Sequence, residues 1–571
     1  MSISRVAVVG AGIVGAALAR EIAGRLPDAE VTVFDKAEHV AAHQSGHTSG
    51  IVDSGLDEEP GTLEATLARR GVELLVPYVT ERGIPYRERG QLMIAQNTDE
   101  ADRLEEIADR AEKNGIPGVR LVDRKQMRDI ESHARGVLGL YSPHTAVTDF
   151  AALAEALASD VRSAGGSFRF GTEVTGFDVM SNEVRVRFRK AAHDSQVAAG
   201  DDHSDHSTDS DHSTQPDHSA HSDAGAHSDD KHTEDDSRDE QVTDGPRTYY
   251  GDDTEPVVGF GDDVRNRLGG ELRDRFGDKD WFRHVEDTLG SLNDKLSSSW
   301  SGRGSSTARN DSDRSGHDPS QEGGNLPHGN SPRGTRGRRG NRETHGGTVS
   351  EESASFDLVI VAAGLQADRL AVAAGFDAEP RVVPFTSDYF IVSESDREAA
   401  EVVRGIITSV PDPHAPFADT ALVRGVNDAL VLGPNTFVAL GREKYERHGF
   451  DVGDIGSTVG FKGFWKFAAQ TAGTAARGAK SVVSTSAFVE GVQKFVPDLD
   501  AAAVRPGPRG VRARAMDAAG ALTNELLVTT RGRLTMVRNV PRAGATSALA
   551  VAEHIVDSIL DVPRPGQPAT D

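Results

Sequence analysis

Apolar and polar residues alternate along the chain in patterns that predict strands and helices, except over a long central stretch. Residues 5–9 (RVAVV) predict a buried strand, and the small and apolar residues over 16–26 predict a helix after it. Residues 183–188 alternate apolar and polar side chains, as a half-exposed strand does, and regular structure resumes at Phe356. The pattern predicts an α/β protein that is interrupted between two strands by a long polar insert.

The insert covers residues 191–353 and holds 35 acidic and 18 basic residues, a net charge of -17. The other 408 residues therefore carry only -9 of the total charge of -26. So few apolar residues at so high a charge cannot offset the entropy lost on ordering, which predicts disorder. We expect the insert to leave from a hairpin-like surface turn, because long insertions are tolerated there.

Two stretches of the insert carry patterns of their own. Residues 201–236 repeat Asp-His-Ser-like units, which are either a solvated tail or a site for a soft divalent ion. Apolar residues at helical spacing over 264–300 predict an amphipathic face. That face could dock on a protein partner, on a membrane surface or back on the core.

Composition narrows the class of protein. The 571 residues favour more than one domain, and 63 basic against 89 acidic residues disfavour a nucleic-acid-binding surface. The lack of cysteine excludes disulfides, thiolate metal sites and a cysteine nucleophile. Many acidic residues with few lysines are typical of proteins that stay hydrated in high salt. No stretch has the pattern of a signal peptide or a membrane span, so a cytoplasmic protein is expected.

The sharpest local pattern is a glycine motif between the first strand and the first helix. Residues 10–15 (GAGIVG) open that helix, and Asp35 ends the next strand. Gly10 makes the tight turn, Gly12 lets a pyrophosphate approach the backbone, and Gly15 allows close packing of the helix. The helix N-terminus stabilises phosphate charge, and Asp35 is placed to accept hydrogen bonds from a ribose. The motif predicts a dinucleotide site and disfavours NADP, while NAD and FAD both stay open.

Two later segments resemble elements of FAD-dependent oxidoreductases. Residues 357–363, which end in Ala363 and are followed by Gly364, resemble the second strand-and-glycine element near the flavin in these enzymes. Residues 539–547 (NVPRAGATS) lead into an apolar helix over 548–560, and in such enzymes that helix points at the flavin. A cofactor site shared by the two ends of the chain is typical of the glycine-oxidase-like, or D-amino-acid-oxidase-like, superfamily. The resemblance implies FAD as the cofactor.

A narrower resemblance begins at residues 43–55 (HQSGHTSGIVDSG), which are followed by PGTL at 60–63. The L-2-hydroxyglutarate oxidase/dehydrogenase family has a similar His-Gln-x-Gly-His-Asn-Ser-Gly run before Pro-Gly-Ser-Leu. Shorter matches continue through nearly all of the chain outside the insert, at 384–390, 410–417, 433–435, 493–497 and 510–513. The resemblance implies oxidation of a small 2-hydroxy acid to the 2-oxo acid, with hydride transfer to flavin N5.

Four sites depart from that family's pattern. Asp53 replaces a histidine, and Asp57-Glu58 replace an aromatic pair. Thr386 replaces an arginine, and Ala421 replaces a histidine shortly before the matching Arg424. Losing two imidazoles and a guanidinium would weaken the binding of an anionic substrate. The departures keep two alternatives open: an enzyme for an amino acid or another hydroxy acid, and a catalytically altered flavoprotein with a binding or regulatory role.

The same resemblance implies the residues that bind a carboxylate substrate. Arg424 and Arg512 are predicted carboxylate clamps, although either could instead form a surface or structural ion pair. Tyr389 is predicted to donate a hydrogen bond. No metal ion is expected at the catalytic site.

A base must also remove the hydroxyl proton, and it should titrate near neutrality. His47 is the first candidate, although it could equally be a structural contact of the flavin. His43 and Asp53 follow.

The residues implied to bind FAD share the motifs described above. They are Gly10, Gly12, Ile13, Val14, Gly15, Asp35, Lys36, His43, Gln44, Ser45, Gly46, Thr48, Ser49, Val174, Ala363, Gly364, Gly544, Ala545, Thr546 and Ser547.

The expected fold is α/β, with a Rossmann-like FAD-binding domain of the glutathione-reductase type, a sheet-based substrate domain and a disordered insert. The FAD-binding domain is assigned to 1–86, 141–190, 354–375 and 505–571, the substrate domain to 87–140 and 376–504, and the insert to 191–353. The electron acceptor stays open between oxygen, a quinone and a carrier protein. A membrane quinone would give the amphipathic stretch a role in peripheral membrane association.

Overall fold

The computed structural model describes residues 3–191, 351–392, 396–412, 420–447, 449–471 and 485–560. Of these, the residues up to Lys190 and those from 351 onward belong to one compact unit. The His-rich repeat at 201–236 and the amphipathic stretch at 264–300 lie outside the described residues, so the predictions made for them stay predictions.

Helices and strands alternate through the described residues. The helices are α1 Ile13–Arg25, α2 Leu63–Glu81, α3 Thr98–Lys113, α4 Arg124–Ile130, α5 Phe150–Ser163, α6 Ala367–Ala373, α7 Arg397–Ala400, α8 Val452–Val459, α9 Thr485–Val492 and α10 Ala548–Ile559. The strands are β1 Arg5–Val9, β2 Glu30–Phe34, β3 Ile51–Val52, β4 Tyr86–Glu88, β5 Gln91–Ala95, β6 Arg120–Val122, β7 Leu138–Ser142, β8 Ala146–Thr148, β9 Ser167–Arg169, β10 Thr172–Val179, β11 Val184–Lys190, β12 Glu352–Phe356, β13 Leu358–Val361, β14 Arg381–Val392, β15 Ile406–Ser409, β16 Ala421–Arg424, β17 Leu430–Val438, β18 Val504–Met516, β19 Leu527–Arg531 and β20 Leu534–Asn539.

A six-stranded sheet in the order β19-β20-β13-β1-β2-β9 forms the centre of the first structural region. β1 pairs in parallel with both β2 and β13, and β13 pairs in parallel with β20. The inner strands are almost continuously apolar because both faces of this sheet are covered, as in other parallel sheets. The predicted Rossmann-like arrangement is confirmed.

Helices cover one face of this sheet, and a second sheet covers the other. Small and apolar residues of α1, α5 and α10 pack with alternate residues of β1 and β2 in the largest core cluster. On the opposite face, the antiparallel sheet β10-β11-β12 buries its aromatic residues against β1, β2 and β13. The result is a three-layer stack of helices, parallel sheet and antiparallel sheet.

β11 and β12 pair antiparallel, from Val184 opposite Phe356 to Phe188 opposite Glu352. The chain on either side of the insert therefore lies on adjacent strands, which confirms the predicted hairpin-like exit. Regular structure resumes earlier than the sequence predicted, at Glu352 instead of Phe356. The stretch before Phe356 is mostly polar, so its hydrophobic pattern did not predict a strand. Its strand is held by pairing with β11.

An eight-stranded sheet in the order β18-β14-β17-β16-β15-β5-β7-β6 forms the second structural region. Its longest strands, β14 and β18, pair antiparallel from Arg381 opposite Met516 to Val392 opposite Val504. The predicted domain boundaries stay a proposal, and this sheet suggests two changes to them. It contains all of β18 and β7, parts of which the sequence assigned to the FAD-binding domain.

Candidate active site

A cleft of about 800 Å³ opens at the carboxyl ends of four strands of the six-stranded sheet. The turns that follow β1, β2, β13 and β20 contribute Gly10, Asp35, Ala362 and Val540 to its lining. β1 lies between β2 and β13, so the strand order reverses at Gly10. Open α/β sheets bind their ligands at such a reversal, and this cleft is therefore the candidate site.

The backbone around the glycine motif leaves no room for side chains. Gly10 has a φ of +109°, and a Cβ there would lie 2.4 Å from the carbonyl oxygen of Ala362. A Cβ on Gly15 would lie 1.8 Å from the carbonyl oxygen of Gly10. α1 begins directly after Gly12, and Gly12 lines the cleft. The first N–H groups of the helix therefore lie beside the cleft. These groups have no partner within a helix and suit a phosphate.

Asp35 braces the same motif and keeps acceptor sites for a ligand. Its Oδ2 accepts a hydrogen bond from the Ala11 N–H at 2.6 Å, and its Oδ1 accepts one from the Ala37 N–H at 2.8 Å. A carboxylate has about four acceptor sites, so about two remain for ribose hydroxyls. The arrangement fits the adenosine half of a dinucleotide.

A loop that follows β17 reaches the same end of the cleft. Its Glu443 lines the cleft, forms a short ion pair with Lys36 and accepts a hydrogen bond from Gln366 Nε2 at 2.7 Å. Burial acts to raise the pKa of Glu443, but Lys36, with smaller contributions from His43 and Gln366, lowers the pKa overall. The ionised pair therefore joins the two sheets beside the ribose end.

The segment over residues 43–53 connects three parts of the structure around the cleft. Ser45 Oγ accepts from the Ile13 N–H at 3.0 Å, and Gln44 Oε1 accepts from the Ala513 N–H at 2.9 Å. The Asp53 N–H donates to Thr546 Oγ1 at 3.0 Å. These three bonds bring α1, β18 and the turn before α10 to one place.

His47 lies within this segment, beside the cleft and not in its lining. Its Nδ1 is 2.8 Å from the carbonyl oxygen of His43, which can only accept, so Nδ1 carries the proton and Nε2 is the basic nitrogen. Its ring stacks on Tyr445 with the centroids 4.3 Å apart. Burial lowers the pKa of His47.

Most residues predicted to bind the cofactor line this single cleft. They are Gly10, Gly12, Ile13, Val14, Gly15, Asp35, Lys36, His43, Gln44, Ser45, Thr48, Ser49, Val174, Ala363, Gly364, Gly544, Ala545 and Thr546.

Gly46 and Ser547 were predicted with them, but the structure gives both a role in the backbone. A Cβ on Gly46 would lie 2.5 Å from the carbonyl oxygen of Ala41. The Ser547 hydroxyl is fully buried and donates to the carbonyl of Ala543 at 3.0 Å. Each shapes a turn next to the cleft and does not face it.

Arg512 brings a positive charge to the cleft from the eight-stranded sheet. It lies on β18, and its Nη2 donates to the Tyr389 hydroxyl at 2.9 Å. Tyr389 is buried and occupies an irregularity in both ladders of β14, between Asp388 and Phe390. Bulges re-aim side chains near active sites, and this one directs a neutral partner at Arg512. The guanidinium is thereby held in place while its charge stays available for a carboxylate.

A second cavity of about 320 Å³, which we call the arginine cavity, continues from this end of the cleft. Its lining is Asp57, Arg103, Glu106, Ile107, Arg110, Phe385, Pro411, Asp412, Pro434, Thr436, Arg512, Arg514 and Arg542. Arg512, Arg514 and Arg542 also line the cleft, so the two spaces share a wall.

Two acidic residues at this junction, Asp53 and Asp57, have pKa values that are shifted in opposite directions. Burial raises the pKa of Asp53, with the charge of Arg542 acting against the rise and Asp57 adding to it. Burial also acts to raise the pKa of Asp57, but the charge and hydrogen bond of Arg542 lower it. Asp57 is thus the ionised partner of Arg542, and Asp53 is the carboxyl that holds a proton more readily.

Two positions on which the sequence prediction relied lie away from the cleft. Arg424 donates from Nη1 to the Ala400 carbonyl at 2.6 Å and is absent from the lining of either cavity, so its position does not support a role as a clamp. Successive strand residues face opposite sides, and Ala421, three residues earlier, is the one that lines the cleft. Thr386 is buried and donates to the Phe437 carbonyl at 3.1 Å.

The sequence prediction missed four arginines that line the arginine cavity. Arg103 and Arg110 lie on one face of α3, Arg514 lies two residues beyond Arg512 on β18, and Arg542 lies in the turn before α10. The spacing of Arg512 and Arg514 could have placed the second on the same face as the first. The other three come from segments that only the tertiary structure brings together.

A family model described as DAO, FAD dependent oxidoreductase, matches residues 5–317, more than half of the chain. The chain belongs to this family. FAD is its cofactor, and it is an FAD-dependent oxidoreductase, as the sequence predicted. The glycines without room for a Cβ, the helix N-terminus at the cleft and the free acceptor sites of Asp35 all fit that cofactor.

Curated relatives share low identity with the chain over nearly its whole length. It is 26% identical to L-2-hydroxyglutarate dehydrogenase, mitochondrial, from Nematostella vectensis, over 97% of this chain and 89% of the relative. It is 24% identical to the human mitochondrial L-2-hydroxyglutarate dehydrogenase, over 97% and 88%. It is 21% identical to L-2-hydroxyglutarate dehydrogenase from Escherichia coli (strain K12), over 97% and 92%.

Solved structures share the fold. L-α-glycerophosphate oxidase from Mycoplasma pneumoniae, solved with FAD bound, has a TM-score of 0.56 at 14% identity, over 100% of this chain and 98% of that one. Glycine oxidase from Geobacillus kaustophilus has a TM-score of 0.54 at 13% identity, over 100% and 97%. These likenesses confirm the predicted fold class.

Two kinds of feature are absent from the described part of the chain. No group of three or more His, Cys, Asp or Glu side chains is arranged there to hold a metal ion. Among the same residues, no helix combines the length and hydropathy that crossing a bilayer needs.

Proposed function

We propose that this FAD-dependent oxidoreductase oxidises a small L-2-hydroxy acid of the L-2-hydroxyglutarate type to the 2-oxo acid. The observation that carries the proposal is Arg512: a guanidinium held by a neutral hydroxyl in the cleft that also contains the FAD motif. Arginine binds carboxylates through two parallel hydrogen bonds, which also orient the neighbouring carbon. The curated relatives that carry L-2-hydroxyglutarate in their names support this choice of acid.

In the proposed reaction the substrate loses a proton from its hydroxyl and a hydride from C2. FAD, when bound in the cleft, would supply the acceptor for that hydride. Arg512 binds the C1 carboxylate, and Tyr389 holds Arg512 in place. Asp53, which lines the cleft, takes the hydroxyl proton, since a carboxyl with a raised pKa is a better base than an ordinary one.

His47 is the second candidate for the base. Its Nε2 is free to accept a proton once Nδ1 donates to His43, and its lowered pKa keeps it neutral. It lies beside the cleft and not in its lining, and for that reason we place Asp53 first. Asp53→Asn and His47→Asn each remove the proton-accepting group, and the role is assigned to the variant that loses kcat.

Asp53 and Asp57 also favour one alternative function. Carboxylates at the substrate end would attract the ammonium group of an amino acid, and glycine oxidase from Geobacillus kaustophilus shares the fold. A purified enzyme tested in high salt with an artificial electron-accepting dye separates the two proposals. L-2-hydroxyglutarate, L-lactate, L-glutamate and glycine are the substrates to compare, with the 2-oxo acid identified by mass spectrometry. Turnover of hydroxy acids supports the main proposal, and turnover of amino acids alone overturns it.

The electron acceptor belongs to the same proposal. Oxygen, a quinone and a carrier protein remain the candidates, and rates of reoxidation of the reduced enzyme by air and by a soluble quinone separate the first two. A cytoplasmic location, and peripheral membrane association through residues 264–300, are proposals that rest on the sequence pattern alone.

A further inference from the structure

We infer that the arginine cavity is a second anion-binding subsite, which receives a carboxylate at the far end of the substrate and so selects dicarboxylates. This inference rests on the proposed function only in placing the substrate's own C1 carboxylate at Arg512. Four of its thirteen lining residues come from α3, an element that carries none of the residues named in the cofactor motifs.

The cavity lies between a helix face and a sheet face. Arg103, Glu106 and Arg110 recur at intervals of three and four residues, so they share one side of α3. Opposite them, Arg512 and Arg514 project from the same side of β18. A ligand between these faces would meet guanidinium groups from two directions.

The charge of this cavity is opposite in sign to the charge of the protein. Its lining includes five arginines and three acidic residues, whereas the chain as a whole carries -26. Of the three acids, Asp57 is already paired with Arg542. A cavity of this kind concentrates anions in a chain that otherwise repels them.

Arg103 is the residue that the present contacts leave unexplained. Its Nε is buried, and within the described residues it has no hydrogen-bond partner. Buried donors are nearly always paired, because an unpaired one loses its hydration without compensation. A carboxylate in the cavity would give Arg103 an ionic partner.

The path from the cleft to this cavity suits a short aliphatic chain. Pro411 and Pro434 line both spaces, and Phe385 lines the cavity. The cavity that holds Arg512 and Arg103 therefore also has apolar walls. Such a lining suits a dicarboxylate with methylenes between its ends.

The test compares two ligands that the enzyme cannot oxidise. FAD-loaded enzyme is titrated with glutarate, a dicarboxylate, and with pentanoate, a monocarboxylate of the same length, and binding is followed by the flavin difference spectrum. We expect the wild-type enzyme to bind glutarate about 10-fold or more tightly than pentanoate, since a charged hydrogen-bonded pair is worth about that factor. Arg103→Gln should remove this preference, and Arg103→Lys should keep part of it.

A matched control comes from the same helix. Lys113 ends α3, pairs with Asp109 at 2.6 Å on the exposed surface and lies outside both cavities, so Lys113→Gln removes one positive charge without touching the site. It should keep the preference for glutarate. FAD content and melting temperature, measured on each variant, show that the fold is intact.

Two results would overturn the inference. One is a wild-type enzyme that binds glutarate no better than pentanoate. The other is a folded Arg103→Gln variant that keeps the full preference for glutarate. Turnover separates these failures from failure of the proposed function: equal oxidation of L-2-hydroxyglutarate and L-2-hydroxypentanoate contradicts the subsite but leaves hydroxy-acid oxidation standing.

Discussion

The two ends of the cleft are built in different ways. The cofactor end consists of short sequence motifs in which the backbone does most of the binding: three glycines, a helix N-terminus and an acid at the end of the next strand. The substrate end consists of side chains from α3, β14, β18 and the turn before α10. The first end depends on the absence of side chains, and the second depends on the placement of side chains from distant segments.

This difference predicts how each end responds to mutation. Gly10 and Gly15 have no room for an added carbon, so small changes at these two positions should abolish cofactor binding. Several arginines line the substrate end, so replacing one of them should weaken substrate binding without abolishing it. The predictions below run from the largest expected effect to the smallest.

Gly15→Ala should have the largest effect. The added methyl group would lie 1.8 Å from the carbonyl oxygen of Gly10, so the turn must open and the phosphate site is lost. Overpacking of this kind typically costs about 1–3 kcal/mol of stability, and here it falls on the cofactor site. We expect purified Gly15→Ala protein to lack the visible flavin spectrum.

Gly24→Ala is the matched control on the same helix. A Cβ at Gly24 would meet nothing within 4 Å, and alanine favours a helix over glycine by about 0.5–1 kcal/mol. This variant should keep its FAD and melt slightly higher than the wild-type protein. Loss of FAD from both variants, or from neither, would contradict the close-packing account of Gly15.

Arg512→Gln should lower kcat/KM by about 100- to 1000-fold, because it removes the charged partner of the substrate carboxylate. The measurement is steady-state turnover of L-2-hydroxyglutarate. Arg424→Gln is the control, since Arg424 contacts the Ala400 carbonyl and lies outside both cavities. If Arg424→Gln is the more damaging of the two, the clamp has been assigned to the wrong arginine.

Tyr389→Phe should have a smaller effect of a distinct kind. The hydroxyl accepts from Arg512 and positions it, and a hydrogen bond to a charged group is worth about 1.5–3 kcal/mol. KM should therefore rise by about 10-fold or more with a smaller change in kcat. A fall in kcat at constant KM would instead make Tyr389 a direct participant in the chemistry.

The smallest expected effect is a shift in pH dependence. If Asp53 is the base, kcat/KM falls as pH drops through its pKa, which burial raises above the ordinary value of 3.8. Arg542 acts to lower that pKa, so Arg542→Gln should move the acid limb to higher pH. Asp53→Asn should remove the limb. An acid limb that Arg542→Gln leaves in place would point to another base.

The same raised pKa has a consequence for stability. Burial favours the protonated form of Asp53 in the folded state, so this residue stabilises the fold at low pH and loses that contribution as pH rises through its raised pKa. The melting temperature of Asp53→Asn should therefore depend less on pH in that range than that of the wild-type protein.

The residues predicted for the cofactor end come from short stretches, so the sequence information there is local. The glycine motif, Asp35, the 43–49 segment and the turn at 544–546 each form one short stretch, and the structure places them in one cleft. Gly46 and Ser547 were the exceptions, since a residue within a motif can serve the turn instead of the ligand.

The substrate end was harder because its residues are far apart in sequence. Arg512 was found through resemblance, but Arg103 and Arg542 carry no local pattern that marks them as neighbours. The prediction for Arg424 meets the same limit. Its place in the sequence matched a family arginine, but the alternation of side chains along β16 sets Ala421 and not Arg424 at the cleft.

The central claim is that one cleft joins an FAD site to a carboxylate-binding substrate end. The most direct test is an anaerobic titration of the FAD-loaded enzyme, in high salt, with L-2-hydroxyglutarate. The account predicts that the flavin absorbance bleaches and that one 2-oxoglutarate forms for each flavin reduced. A fully FAD-loaded enzyme whose spectrum is unchanged by this acid, by L-lactate and by L-2-hydroxypentanoate would contradict it.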